Sequence, residues 1–264
     1  MKTRQPLVSV IIPAWNGAAF IRETLQSILD QSYKNLEVIL IDDASQDDTL
    51  SLVRTFRDRR LRVYRNTKNL GIAKTRNRGL EEAKGAYITF FDQDDIMLPE
   101  AIKKRVVTLE EDRHKNAVCG YTKVAPLGKR LFRGNALLKS RFEKRIGQRL
   151  TAQKKALPFL KMHPCMDRNF FFRFYCVFTL LTNLMMRKNL IKKVGRFTPK
   201  FKALDDVDFV CRLVEKTPIH FIDEPIKIYR VHDRNRSLCL SDKELNKDWS
   251  VIYKKYFLPS RLSF

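Results

Sequence analysis

Ala86-Tyr-Ile-Thr-Phe-Phe-Asp-Gln-Asp-Asp95 is the stretch on which the reading of this chain turns. Its first six residues form a short apolar, β-favouring run of the kind that makes a buried strand. The run passes without a spacer into Asp92, Gln93, Asp94 and Asp95, which puts carboxylates at the strand's C-terminal end. Close carboxylates repel one another and call for a compensating cation. Hard ions such as Mg²⁺ and Mn²⁺ take oxygen ligands and use one or two carboxylates together with substrate phosphates. The alternative is a solvated turn ahead of a helix whose start Pro99 marks.

Acids are scarce elsewhere. The 264 residues carry 52 Lys and Arg against 29 Asp and Glu, a net charge of +23. Such a balance attracts polyanions, whether nucleic acid, anionic lipid or phosphorylated substrates. The sequence has no zinc-finger spacing, aromatic RNA-binding strand or basic helix-turn-helix pattern, so nucleic acid is not expected as a partner. The cysteines at 119, 165, 176, 211 and 239 are odd in number and contain no C-x-x-C pair. That spacing indicates neither a disulfide framework nor a zinc site and fits a reducing cytoplasm. The apolar run Val8–Ile12 is too short for a signal-peptide core. Phe170–Met186 is interrupted by Arg173 and Asn183 and falls short of the roughly 20 residues a spanning helix needs. It reads as core with a strand over Thr179–Met186, an interfacial anchor being the alternative.

Around the acid cluster, short β-rich runs alternate with helix-period segments, the pattern of a mostly parallel sheet flanked by helices. Val8–Ile12 reads as the first strand, broken by Pro13-Ala-Trp-Asn-Gly17, and Ile21, Leu25, Ile28 and Leu29 recur at helical spacing. Glu37–Ile41 reads as a strand ending at Asp42-Asp43. Ser45-Gln-Asp-Asp48 has the form of a helix-start box, followed by an apolar face of Leu50, Val53 and Phe56. Leu61–Tyr64 is a third strand, and Ile72 to Glu82 a helix after the turn Asn69-Leu-Gly71. Further on, a helix running to about Glu215 precedes strands over Ile219–Ile222 and Ile226–Arg230. In an open parallel sheet, ligands bind outside the strands' carboxyl ends, so polar clusters remote in sequence share one rim. Trp15 and Asn16, Asp42 and Asp43, and the acids after Phe91 all fall there; a turn-and-cap role is the plainer reading of Asp42-Asp43.

Taken in order, Val8-Ser-Val-Ile-Ile-Pro-Ala-Trp-Asn16, Ile41-Asp-Asp-Ala-Ser-Gln-Asp-Asp-Thr49, Asn69-Leu-Gly-Ile-Ala-Lys-Thr-Arg-Asn-Arg-Gly79 and Phe91-Asp-Gln-Asp-Asp95 resemble the N-terminal half of a family 2 glycosyltransferase. The resemblance resumes at Gly195-Arg-Phe197, Leu204-Asp-Asp-Val-Asp-Phe209 and Tyr229-Arg-Val-His232, and little of it covers Lys123 to about Thr179. It implies the glycosyltransferase A fold and an inverting transfer from a nucleotide sugar with a divalent cation, Mn²⁺ or Mg²⁺. By resemblance, Pro13, Trp15 and Asp43 hold the nucleotide base, with uracil favoured, and Asn16 belongs to the same nucleotide site. Asp92 lies near the ribose and the metal, Asp94 ligates the metal, and His232 approaches the metal or the diphosphate. Asp206 matches the catalytic base. Arg76 supports it, although Thr75 stands where alanine is usual. Asp205 takes the place of a glutamate, one methylene shorter. Without the resemblance, Asp205, Asp206 and Asp208 read as acids favoured at a helix N-terminus, and His232 as structural.

The divisions that follow are 1–122 as the nucleotide-sugar half, 123–178 as a basic variable segment, 179–240 as the catalytic-base and acceptor half, and 241–264 as a C-terminal tail. From Lys123 to Lys161 there are twelve Lys and Arg and one acid, Glu143. With Phe132, Leu137, Leu138, Phe142, Ile146 and Leu150 interspersed, this segment faces either the acceptor or an anionic membrane surface, unless it is an ordinary solvated face. The expected function is transfer of a sugar from a UDP-sugar to a glycan or lipid-linked acceptor, in bacterial surface polysaccharide or lipopolysaccharide synthesis at the inner membrane face. The competing readings are a sugar-nucleotide nucleotidyltransferase, whose glycine-rich first loop is missing, and a noncatalytic polyanion-binding protein.

Overall fold

The computed structural model describes residues 5–126, 165–166 and 180–256. The basic run expected at 123–161, apart from 123–126 at the end of β6, and most of Phe170–Met186 lie outside these residues. In chain order the elements are β1 Val8–Ala14, α1 Ile21–Leu29, β2 Leu36–Asp42, α2 Thr49–Arg54, β3 Leu61–Arg65, α3 Ile72–Glu82 and β4 Tyr87–Phe90. Then come β5 Ile96–Met97, α4 Ala101–Glu111, β6 Ala117–Pro126, β7 Cys165–Met166, α5 Leu180–Asn183, β8 Leu184–Arg187 and α6 Ile191–Val194. The chain closes through α7 Asp205–Val214, β9 Ile219–Val231, α8 Arg236–Cys239 and α9 Asp242–Tyr256. Among the described residues no helix is long and apolar enough to cross a membrane.

The strands form one sheet in the order β3-β2-β1-β4-β8-β6-β9-β5, with β7 also paired to β9. β1 pairs in parallel with β2 and β4, and β2 with β3. β8 enters reversed between β4 and β6, and β6 is parallel to β9. The six strands β3, β2, β1, β4, β6 and β9 therefore point the same way. The sheet is mixed by neighbour, because the short β5, β7 and β8 are antiparallel to their partners, yet its long strands deliver their carboxyl ends to a common rim.

Every residue of β1 and of β2 is buried, as expected of parallel strands covered on both faces. Side chains alternate across the sheet. Val8, Val10 and Ile12 pack with Ile21, Leu25, Ile28, Val38 and Leu40 under α1 and α4. Ile11, Ile39 and Ile41 pack with Leu80, Phe90, Phe197 and Phe209 under α3 and α7. Helix α3 lies close on β1, since a Cβ on Gly79 would stand 2.3 Å from Cγ2 of Ile11.

Three sequence expectations need correction. The strand expected over Thr179–Met186 is a short helix, α5, followed by β8. The two expected strands at 219–222 and 226–230 are one thirteen-residue strand, β9. Its register against β6 shifts around Tyr121, so the break legible in the sequence is an irregularity inside one strand. Ser45 does not cap α2, whose N-cap is Asp48; its hydroxyl accepts from the Asn16 N–H at 3.0 Å. The helix ends at Arg54, before Phe56.

Asp208 secures α9 against α7. Its carboxylate accepts from Thr198 Oγ1 at 3.0 Å, Arg212 Nε at 3.0 Å, Tyr256 OH at 2.9 Å and Lys255 Nζ at 3.2 Å. Burial alone would raise this carboxyl, but Arg212, Tyr256 and Lys255 outweigh it and hold it below the usual aspartate range. A group with a depressed folded-state pKa stabilises the fold above its unfolded value, near 3.9, and that contribution is lost as pH falls through the folded value. Asp208→Asn should therefore cost about 2–4 kcal/mol at pH 7. In urea melts the gap from wild type should close as pH is lowered from about 5 toward 2; a gap independent of pH would show that the charge contributes nothing.

Candidate active site

The loops following β1, β2, β4 and β9 and the start of α7 converge at the common rim. Pro13 is paired to Ile41 inside β1, beyond the last β4 register partner, Ile11 with Phe90. Trp15 follows, 52% exposed. Its backbone is gripped by Gln93, whose Oε1 accepts from the Trp15 N–H and whose Nε2 donates to the Trp15 carbonyl, both at 2.9 Å. Gly17 makes room for this clasp, because a Cβ there would stand 2.2 Å from the Gln93 Oε1. Asn16 and Ala44 both adopt the left-handed conformation, with φ of 48° and 59°, uncommon outside glycine and frequent where function dictates backbone shape. The Asn16 carboxamide oxygen accepts from the Gln46 N–H at 2.9 Å, and the Gly17 N–H donates to Thr49 Oγ1 at 2.7 Å. The two loops are thereby laced together.

Asp43 is buried. Its Oδ1 accepts from Asn66 Nδ2 at 2.7 Å and the Leu70 N–H at 2.9 Å, and its Oδ2 from the Gly71 N–H at 2.9 Å. Gly71, at φ 83°, turns the chain into α3. A carboxylate offers about four acceptor directions, and Asp43 uses three of them to shape the turn.

Asp92, Asp94 and Asp95 each present an oxygen within 4.8 Å of the others, a spacing open to one metal ion. Their roles diverge. Asp92 is partly exposed, and burial, together with Asp94 and Asp205, raises its pKa against the pull of Lys227 and Arg76. Asp94 Oδ2 lies 3.0 Å from His232 Nε2 and accepts from Asn235 Nδ2 at 3.2 Å. The 3.0 Å separation of Asp94 and His232 is that of a hydrogen bond. The His232 Nδ1 lies 3.2 Å from the Arg234 N–H, and Nε2 lies 3.0 Å from Asn235 Nδ2 as well as from Asp94, so each ring nitrogen has a nitrogen donor beside it. With a proton on Nε2 the ring donates to Asp94 or to a phosphate oxygen; without it, Nε2 accepts from Asn235 or ligates a metal. The carboxylates fit a divalent cation directly, and the histidine fits the cation's anionic partner at least as well.

Asp95 is turned inward, with Oδ2 on Lys227 Nζ at 2.6 Å and Oδ1 on the Arg230 N–H at 3.2 Å. Arg230 also ties the loop down, through Nε to the Asp94 carbonyl at 2.5 Å and Nη1 to Glu23 at 2.5 Å.

Across the cleft, Asp205, Asp206 and Asp208 open α7. Asp208 is committed to α9. Asp205 is buried and accepts from Arg76 Nη1 at 2.7 Å. Asp206, partly exposed, accepts its neighbour's Val207 N–H at 2.9 Å. Arg76 is buried over the Phe197 ring at 5.5 Å and reaches Asp92 at 3.8 Å through Nη2. Burial opposes its charge, yet Asp205, Asp206 and Asp92 together raise its pKa further. One guanidinium thus joins the acids after β4 to the acids opening α7. Its Nε and the Asp205 Oδ1 are buried without a hydrogen-bond partner.

Sequence reasoning gave Arg76 only a supporting place and passed over Gln93, Lys227, Arg230 and Asn235. Lys227 and Arg230 sit on a strand in a chain full of cations, where burial is the distinguishing signal and composition gives none. Gln93 lay in view inside the acid cluster, but its contact is with a backbone 78 positions away.

Residues 9–180 match the sequence profile of Glycosyl transferase family 2. An uncharacterized glycosyltransferase of Rickettsia typhi is 28% identical over 262 residues, 96% of this chain and 73% of its own. The Escherichia coli enzyme WfaP, named as a UDP-Glc:α-D-GlcNAc-diphosphoundecaprenol β-1,3-glucosyltransferase, is 39% identical over 107 residues, 40% of this chain and 43% of its own. Among solved structures, Staphylococcus aureus TarS in complex with UDP-GlcNAc is similar over 95% of this chain and 67% of its own, at 21% identity and a TM-score of 0.65. A Pyrobaculum calidifontis mannosyltransferase with GDP-Man and Mn²⁺ is similar over 88% of this chain and 59% of its own, at 23% identity and a TM-score of 0.62. The chain spans less than two thirds of WfaP and of the mannosyltransferase. The structural likenesses establish the glycosyltransferase A fold, and with the profile match over most of the sequence, the chain belongs to glycosyl transferase family 2.

Proposed function

We propose that this glycosyltransferase moves a sugar, with inversion, from a UDP-sugar to a hydroxyl of a glycan or lipid-linked acceptor, using a divalent cation, in bacterial surface polysaccharide or lipopolysaccharide synthesis. The observation that carries the reading is the Arg76 bridge, with Asp205 at 2.7 Å on one side and Asp92 at 3.8 Å on the other. It supports a shared cleft for the acids after β4 and those opening α7.

In this reading the half-exposed Trp15 stacks on the base, with Pro13 and Asn16 shaping the floor and the remaining acceptor direction of Asp43 facing a pyrimidine N–H. Asp92 and Asp94 would hold the cation, Asp92 also lying nearer the ribose, and His232 would approach the diphosphate or the metal. The cation, when bound, supplies positive charge that favours departure of the nucleoside diphosphate. Asp206 takes the proton from the acceptor hydroxyl as its oxygen attacks the anomeric carbon opposite the departing diphosphate, which inverts the centre. Arg76 and Asp205 fix that carboxylate relative to the donor. The name of WfaP, with its UDP-glucose donor and diphosphoundecaprenol-linked acceptor, and the UDP-GlcNAc complex of TarS support a UDP-sugar and a lipid-linked acceptor. The Mn²⁺ of the mannosyltransferase structure supports the metal.

The net charge of +23 supports a peripheral place on the anionic inner face of the membrane, with the protein in the cytoplasm and 123–178 facing acceptor or lipid. The remaining divisions keep the sequence boundaries: 1–122 for the donor, 179–240 for the base and acceptor, and 241–264 as a tail.

UDP release from a panel of UDP-sugars with Mn²⁺ should fall by about 10²–10⁴-fold in Asp206→Asn while UDP affinity holds; turnover at the wild-type rate would remove Asp206 as the base. Binding to phosphatidylglycerol-rich vesicles should weaken steeply with salt and exceed binding to duplex DNA; preference for DNA would overturn the membrane assignment.

A further inference from the structure

Lys227 is buried to 0% exposure in β9 and takes no part in the reaction described above. Its ammonium donates to Asp95 Oδ2 at 2.6 Å and to Thr182 Oγ1 on α5 at 2.5 Å. By spacing alone Asp92, Asp94 and Asp95 make a three-carboxylate cluster. Asp95, however, is also 0% exposed, and both of its oxygens are engaged, one by Lys227 and the other by the Arg230 N–H.

We propose that Lys227 is a positioning residue that withdraws Asp95 from the ligand set and balances its charge, so that the cation is held by two carboxylates and keeps coordination positions open for a diphosphate. The Lys227 ammonium occupies the Asp95 carboxylate, which leaves Asp92 and Asp94 as the two carboxylates of the loop available to an ion. Without Lys227, a third carboxylate would over-neutralise the ion and oppose the anionic donor. A buried ammonium paired at hydrogen-bond distance costs desolvation that only such close partners offset. Thr182 holds the far side of the ammonium and sets its distance from the loop.

The inference rests on Asp92 and Asp94 as the cation's ligands, and the test separates the two claims. Mn²⁺ binding is followed by electron paramagnetic resonance on the full chain, with and without UDP, in wild type, Lys227→Met, Asp95→Asn and the double variant. Failure of wild type to bind Mn²⁺ overturns the metal reading and this inference with it. Given wild-type binding, Lys227→Met should bind Mn²⁺ about tenfold or more tighter without UDP and lose affinity for UDP in the presence of Mn²⁺. Asp95→Asn should weaken Mn²⁺, and the double variant should return to within about threefold of wild type, because it removes one charge of each sign. The double variant replaces the ion pair by uncharged groups, a change folded proteins tolerate better than loss of one partner, and it decides the matter if Lys227→Met fails to fold. A double variant that has lost Mn²⁺ binding would make Asp95 a ligand and overturn the proposal, as would a folded Lys227→Met with unchanged Mn²⁺ and UDP affinities.

Discussion

The site depends on a guanidinium held out of water between two groups of acids. Arg76 lies in the middle of α3, where Gly79 lets the helix sit close on β1, and its side chain is covered by Phe197 and paired with Asp205. An arginine in such a place cannot shed its charge, since guanidinium stays protonated under all ordinary conditions. The carboxylates around it must therefore remain, and their positions follow from its own. Arg76 Nε has no hydrogen bond, and the Asp205 Oδ1 has none beyond its 3.7 Å ion pair with Arg236, so the pair's hydrogen bonding is incompletely satisfied, a condition that buried groups in native proteins reserve for special sites.

The strongly basic composition gives this arrangement its contrast. Positive charge over the surface raises the local concentration of anionic substrates, while the few interior acids define where a cation can settle. These acids are not interchangeable: Asp208 joins helices, Asp95 closes on Lys227, Asp43 forms a turn, and Asp92, Asp94 and Asp206 remain partly open. What sorts them is the geometry of their neighbours, because the residue type is the same throughout.

Much of this was readable before any coordinates. The first three strands and α3 followed from apolar periodicity, and the shared rim followed from parallel topology, since each loop after a long strand must emerge on one side. The less legible parts depended on contacts between distant residues. Thr179–Met186 reads as a strand by composition, but the chain must first turn at Leu180–Asn183 before β8 can enter the sheet reversed. The separate strands read at Ile219–Ile222 and Ile226–Arg230 are continuous in β9, with Pro225 opposite Tyr121 where the register to β6 shifts. Lys227 could not be separated by sequence from the other lysines, since only its burial beside Asp95 distinguishes it. The fold and family read from the motifs agree with the comparisons, whereas the individual site roles read from them await the measurements that test them.

The clasp between Gln93 and the backbone of Trp15 has a consequence for how this chain can change over time. A Cβ at position 17 would stand 2.2 Å from the Gln93 Oε1, so a side chain there requires the end of Gln93 to swing away and release the Trp15 backbone. Replacement of Gln93 by a shorter residue would in turn free position 17 to drift. Two sites 76 places apart in the sequence of 264 are therefore coupled, since a side chain at position 17 costs the loop the two hydrogen bonds that position 93 supplies.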